Sequence, residues 1–403
     1  MPEVARFVYF DPNCDGHRRE YLTFFLEVCA RVGVKLCAYV PAALWKETCA
    51  LAQGGIGLAE HTCDIEISID SFKQKCSALA DLFAAESGRQ RTLLFFPMID
   101  EYLLPMLYVR VRKGRFGTPW SGTIFRNSFD YLRDEISKPK LFLKSVLRRI
   151  VLPAVVRTGA VELFTLNPEW KKQLSVPVTW LPDTLSSLDR MAVVARDRDG
   201  WPVPRSADGD DRVHLLAFGS MVARKGILEL VTASAALRNE ELCRIELRIL
   251  GKFTADYRMQ VEAWLPNLRQ RGAIIEIIDD YVSEPDLYAA LCRCDYVLAP
   301  YVHHIGSSGV VGLAAQFGRP VLGQNTYQVG DEIRRWELGL AVDCRSQRAL
   351  VAALRQLLSG KVAVTDKMRS YCERKTPLNA TATIERFLQR RFGLHDELAT
   401  PSA

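Results

Sequence analysis

The chain has 403 residues, a net charge of +6 and 48% apolar residues, which fits about two globular domains with sizeable cores. No apolar stretch approaches the ~20 residues of a membrane span, and the opening MPEVARFVYF lacks the basic start and long apolar core of a signal peptide. Eleven cysteines, an odd number without a Cys-x-x-Cys pair, argue for reduced thiols in a cytosol and against a structural metal.

Val4 to Phe10 reads as an apolar strand. The loop from Asp11 to His17 follows, then a helix from Arg18 to Val32, Gly33 as its stop, and a second strand from Val34 to Val40. This is the opening βαβ of a doubly wound sheet. A glycine-bearing loop after the first strand points at a ligand crevice, so His17 is either a site residue or a solvated loop histidine. Arg91 to Pro97 is another buried strand, with Asp100 just beyond its C-terminal end. There Asp100 is either a crevice-facing carboxylate or a plain helix cap.

Residues 105–157 hold twelve Lys or Arg against three acids. Within 138–157, Leu141, Phe142, Leu143, Val146, Leu147, Ile150 and Val151 interleave with Lys140, Lys144, Arg148 and Arg149. Such a basic amphipathic helix suits an anionic membrane surface, with Trp120 as an interfacial anchor, or a core helix with a solvated basic face. No nucleic-acid motif accompanies it, so nucleic acid is not expected as a partner.

Val161 to Leu166 and Val178 to Leu181 read as strands, and 186–212 is rich in Asp, Arg, Pro, Gly and Ser. That composition marks a boundary. It gives a first domain at 1–187, a linker at 188–211, a second domain at 212–376, and a closing helix with a frayed tail at 377–403.

A second alternating pattern starts at Val213. Strands are expected at 213–218, 245–250, 274–278, 296–299 and 320–322. Helices are expected at 227–237, 255–271, 284–293, 309–317, 329–338, 347–358, 367–373 and 380–391. Ser307, Ser308 and Gly309 stand where a helix begins after a buried strand. Free N–H groups and the positive end of the helix dipole there suit a phosphate, unless Ser307 only caps the helix.

The second half resembles the donor-binding lobe of GT-B glycosyltransferases, closest to retaining family 4. The likeness is carried by Phe218-Gly219 through Arg224-Lys225-Gly226, by Tyr281 to Asp295, and by Ala299-Pro300-Tyr301 through Gly318-Arg319-Pro320-Val321. The first half matches mainly in architecture, its Asp15-Gly16-His17 loop resembling the family's glycine loop near the donor phosphates. The resemblance implies an α/β fold of two doubly wound Rossmann-like domains facing across a cleft. It implies transfer of a sugar from a nucleotide-diphosphate donor to a glycan or lipid-linked saccharide, at the cytoplasmic face of a membrane, without a metal or cofactor.

By position, Lys225 would be the family's diphosphate lysine and Arg224 a second cation beside the Gly219 turn. Gly16, His304, Ser307, Ser308 and Gly309 would complete the donor side, and Tyr281-Val282 would carry the base. Asp100 or His17 would orient the acceptor in a retaining enzyme, or act as base in an inverting one. Asp279-Asp280, the nearest carboxylate pair, reads as a solvated turn. Two departures stand out: Ser220 replaces the family's usual Arg, and Ile305 and Leu313 replace its paired Glu. These fit a divergent donor such as a deoxysugar, or a non-catalytic nucleotide- or partner-binding protein. A nucleotide-sugar epimerase on the same fold is a third reading.

Overall fold

A computed structural model describes residues 4–13, 18–51, 59–64, 69, 71–114, 116–125, 150–168, 176–182 and 211–394. The chain forms two compact units, Met1–Leu185 with Thr376–Ala403, and Ser186–Lys375.

The first unit holds seven parallel strands in the order β3-β2-β1-β4-β5-β6-β7. These are β1 (Arg6–Phe10), β2 (Lys35–Val40), β3 (Ala59–Asp64), β4 (Thr92–Phe96), β5 (Trp120–Ile124), β6 (Ala160–Thr165) and β7 (Val178–Trp180). The chain starts in β1, winds out to β3, and returns to β4 on the other side of β1. That reversal opens a crevice at the C-terminal ends of β1 and β4. Apolar side chains fill both faces of the central strands, as expected for a parallel sheet covered by helices. The rings of Phe25 and Phe95 lie 4.5 Å apart in that core. Helix Pro377–Phe392 belongs to the same core. It buries Ala380, Ile384, Phe387 and Leu388, with Phe387 edge-on to Phe164 at 5.1 Å.

Strand β5 is not evident from sequence because Ser121, Gly122 and Thr123 dilute its apolar signal. The interior pairs one of them: the Ser121 hydroxyl donates to the Glu162 carbonyl at 2.6 Å. A Cβ at Gly122 would lie 2.6 Å from the Phe96 carbonyl oxygen, so only glycine fits there. Trp120 is no interfacial anchor, because it is fully buried in the core and its indole donates to Thr158 Oγ1 at 3.2 Å. Of the basic amphipathic segment, 126–149 lies outside the described residues. Its described end turns Val151, Leu152 and Val155 into the core and leaves Ile150 exposed.

The second unit holds six parallel strands in the order β10-β9-β8-β11-β12-β13. They are β8 (Val213–Phe218), β9 (Ile245–Leu250), β10 (Ile274–Ile278), β11 (Tyr296–Ala299), β12 (Val321–Gln324) and β13 (Gly339–Val342). The winding reverses between β8 and β11. The helix expected at 255–271 is two, Ala255–Glu262 and Leu265–Gln270. Pro266 lacks the N–H a continuing helix needs, so it sits in the first turn of a new one. β13 escapes notice because it is four residues long and only half-buried.

Candidate donor site at the β8–β11 reversal

Two loops meet where the second sheet reverses. The first leaves β8 through Gly219, whose φ of +107° suits glycine alone. It then makes a short 3-10 turn at Ala223–Lys225 and enters helix Ile227–Ser234 through Gly226, in the left-handed region at φ +69°. The second leaves β11 through Pro300 and Tyr301, passes His303 and His304, and enters helix Gly309–Gln316.

The loops pack backbone against backbone. The Val302 amide donates to the Arg224 carbonyl at 2.9 Å. A Cβ at Gly226 would fall 1.7 Å from the Pro300 carbonyl oxygen. Gly226→Ala therefore meets both a backbone clash and a left-handed backbone. We expect it to lower the stability of the second unit by more than about 3 kcal/mol in denaturant titration.

The same packing gathers the side chains. Lys225 Nζ donates to the Tyr301 hydroxyl at 3.3 Å and sits 4.7 Å from that ring's centroid. The Tyr301 hydroxyl is 2.9 Å from Ser308 Oγ. Arg224 Nη1 lies 2.8 Å from His304 Nδ1, and His304 Nε2 lies 2.9 Å from the Ser307 carbonyl oxygen. Buried Gln324 clamps the His304 backbone from both sides: its carbonyl accepts from the His304 amide at 3.3 Å, and its NH₂ donates to the His304 carbonyl. His303 has a left-handed φ of +62°, uncommon for a residue with a side chain.

Ser308 is the N-cap of helix Gly309–Gln316, yet its side chain makes no capping hydrogen bond. The Ser308 hydroxyl is turned to Tyr301 instead, and the N-cap position, which the alternative reading gave to Ser307, falls to Ser308. The Val311 and Gly312 amides donate to the Ser308 carbonyl at 3.1 and 3.2 Å, and the positive end of the helix dipole faces the loop. Among the described residues, no carboxylate pairs with Arg224 or Lys225.

Burial pushes His304 down to about 4; the Ser307 carbonyl opposes this, and Arg224 and Lys225 reinforce it. A neutral ring fits its partners: Nε2–H donates to Ser307, and the Nδ1 lone pair accepts from the Arg224 guanidinium. The loop thus carries its positive charge on Arg224 and Lys225, with His304 as a neutral spacer. The unfolded chain takes up the imidazole proton near 6.5, the folded one only near 4. Stability is therefore lost as pH falls through that window, by up to about 3 kcal/mol. Glutamine at 304 would keep one acceptor and one donor without titrating. We expect the difference in stability between wild type and His304→Gln to change between pH 7 and pH 4, measured by denaturant titration.

Tyr281 and Val282 follow β10, two strands away from β8 along the same edge, or roughly 10 Å by strand spacing. Tyr281 is 81% exposed and Val282 is partly buried against the core. Asp279 accepts from the Phe253 amide at 2.8 Å and pairs with Arg258, so it pins a corner. Asp280 accepts from the Tyr281 amide at 2.8 Å. No group of three or more His, Cys, Asp or Glu is placed to hold a metal among the described residues. Ile305 and Leu313 bring no polar atom to the loop, and Leu313 packs on the core.

In the first unit the corresponding crevice lies after β1 and β4. Gly16 and His17 fall outside the described residues. Asp100 is buried in a 3-10 turn, and its Oδ1 accepts from the Phe125 amide at 2.9 Å, which ties that turn to the end of β5. It caps no helix: helix Leu103–Lys113 has Tyr102 at its N-cap. Asp11, not singled out by sequence, is buried against Arg18, which also reaches Glu101 at 3.7 Å. Burial pushes the Asp11 carboxyl up to about 7, with Arg18 opposing. Its pH dependence has the opposite sign to that of His304, so only the wild-type-minus-variant difference isolates the histidine.

Sequence reasoning missed Tyr301 and Gln324. Tyr301 was legible as an aromatic directly after a strand-ending proline. Gln324 gave no signal, because its role needs the fold to bring β12 beside the loop.

Residues 212–360 match the family model described as Glycosyl transferases group 1. No curated protein sequence matches the chain. Among solved structures, a sucrose-phosphate synthase from Thermosynechococcus elongatus aligns over 97% of this chain and 100% of its own, with 14% identity and a TM-score of 0.65. Anabaena HepE, solved with UDP and glucose, aligns over 96% of this chain and 100% of its own, with 12% identity and a TM-score of 0.64. The lipopolysaccharide outer core galactosyltransferase WaaB aligns over 95% of this chain and 99% of its own, with 12% identity and a TM-score of 0.61. At such identities the likeness speaks for the fold. Residues 212–360 are thus a glycosyl transferases group 1 domain, in a chain whose two α/β units have the GT-B fold.

Proposed function

We propose that the chain is a glycosyltransferase that moves a sugar from a nucleoside-diphosphate donor to a glycan or lipid-linked saccharide. The observation that carries this reading is the gathering of Lys225 and Arg224 beside the helix start at Ser308, unopposed by any described carboxylate. As the sugar departs, negative charge localises on the diphosphate. Cations and aligned amides fixed in advance stabilise that state more than the ground state. The same groups do what a divalent ion does elsewhere, so the reaction runs without metal. A retaining course fits, since leaving-group stabilisation is then the main task. Anabaena HepE, solved with UDP and with UDP-glucose, supports a nucleotide sugar as donor.

No described helix is long and apolar enough to cross a membrane. The enzyme works from the cytoplasmic side, its first unit serving the acceptor. Ile305 and Leu313 favour one competing reading, a protein that binds a nucleotide without turnover. The two separate in an assay of nucleoside-diphosphate release from UDP-, GDP- and ADP-sugars, with and without chelator. Release from one donor class, unaffected by chelator, fits the transferase. Binding without release from any donor fits the alternative.

A further inference from the structure

Helix Leu103–Lys113 has two apolar faces. Leu103, Pro105, Met106 and Val109 enter the core of the first unit. On the opposite face, Leu104, Tyr108 and Val111 recur at i, i+4 and i+7 and stay 42%, 44% and 78% exposed. A globular helix normally presents polar residues there. Phe72, 51% exposed at the start of helix Phe72–Ala85, extends the stripe, its ring 5.7 Å from that of Tyr108 and edge-on at 73°.

The rim is cationic. Arg112 lies 5.5 Å from the Tyr108 ring centroid, Lys113 and Lys73 are exposed, and Arg110 is half-buried. The helix LLPMLYVRVRK contains no acid, and the basic excess continues through the sequence to residue 157.

We propose that this face docks on a bilayer containing anionic lipid. An apolar stripe with an amphipathic tyrosine beside a one-signed cationic rim matches the acyl boundary below and the phosphate headgroups above. A protein partner would need ordered acids to meet these cations; a lipid surface supplies negative charge at any spacing. The docking face lies in the first unit and does not depend on the donor-site reading.

The test is co-sedimentation of the full chain with phosphatidylcholine vesicles, with and without phosphatidylglycerol. We expect binding only to the anionic vesicles, falling steeply as salt rises. Val111→Glu should cut binding at least tenfold, and the pair Arg112→Glu with Lys113→Glu by about fivefold or more per residue. All three side chains are exposed, so unchanged melting curves verify the fold. Lys144→Glu with Arg148→Glu separates this face from the neighbouring basic segment. Unchanged vesicle binding in Val111→Glu, loss only in the Lys144 and Arg148 pair, or equal binding to neutral vesicles would overturn the assignment. So would a dimer that Val111→Glu splits while vesicle binding persists, because the face would then join two copies of this chain.

Discussion

Replacing Lys225 with alanine is expected to lower turnover by about 10²- to 10³-fold, or about 3–4 kcal/mol of barrier, while leaving the fold intact. The ammonium is held by the Tyr301 hydroxyl at 3.3 Å and by the ring face below it. Neither contact satisfies a full charge, so the group is oriented and still has donors to give a phosphate. Gly219 keeps the path open: a Cβ there would stand 3.4 Å from Nζ. Removing the ammonium leaves the Tyr301–Ser308 hydrogen bond in place, so melting should change little. The loss belongs to the leaving diphosphate and should fall on kcat at saturating donor. Arginine at 225 should rescue poorly, because its wider planar fork does not fit the space of the compact ammonium, which lies 3.4 Å from where a Cβ at Gly219 would stand. Initial rates of nucleotide release for the three proteins, with melting curves alongside, check this.

The second large effect concerns stability. Glu332, Tyr371 and Lys375 form a buried polar knot in the second unit. Glu332 accepts from Lys375 Nζ at 2.8 Å, from the Tyr371 hydroxyl at 3.1 Å and from Gln328 Nε2 at 3.0 Å. Burial alone would weaken the lysine's hold on its proton. The carboxylate and the tyrosine beside it reverse that and keep Lys375 well above the ordinary lysine value. Glu332→Ala strands a buried ammonium against the Tyr371 ring, 4.7 Å from its centroid. We expect a loss of about 3–5 kcal/mol from the second unit. The double change Glu332→Met with Lys375→Met should regain most of it, since no buried charge then lacks a partner. Denaturant titration checks both, with the second unit's transition followed separately because two units need not unfold together.

Most of the architecture was legible because parallel strands buried on both faces leave short apolar runs. VHLLAF, YVLA and RTLLFFP are of this kind. It failed where tertiary contact replaced local signal. β5 is built on Ser121, Gly122 and Thr123, whose backbone is paired only once β4 and β6 flank it. β3, AEHTCD, is an edge strand with little apolar content. Pro266 was a written break in the 255–271 helix that the apolar spacing on either side concealed.

At the site, Ser307 and Ser308 were legible from their place after a strand end, Arg224, Lys225 and His304 through the family resemblance, and the fold gathers them. Their wiring was not. Nothing in the sequence says that Ser308 would turn its hydroxyl to Tyr301 rather than cap its helix, or that Gln324 would hold His304 by its backbone. Asp100 was legible by its place after β4; that its Oδ1 would accept from the Phe125 amide was not.

The most direct measurement is a thermal-shift titration of UDP, GDP, ADP and CMP against wild type and Lys225→Ala, with and without Mg²⁺. A ligand bound only by the folded state stabilises it by mass action, about 2.7 kcal/mol at a hundredfold excess over Kd. One nucleoside diphosphate should raise the wild-type transition, independently of Mg²⁺, and leave the variant unmoved. No shift from any nucleotide at millimolar concentration, or an equal shift in both proteins, would contradict a diphosphate site at the β8–β11 reversal.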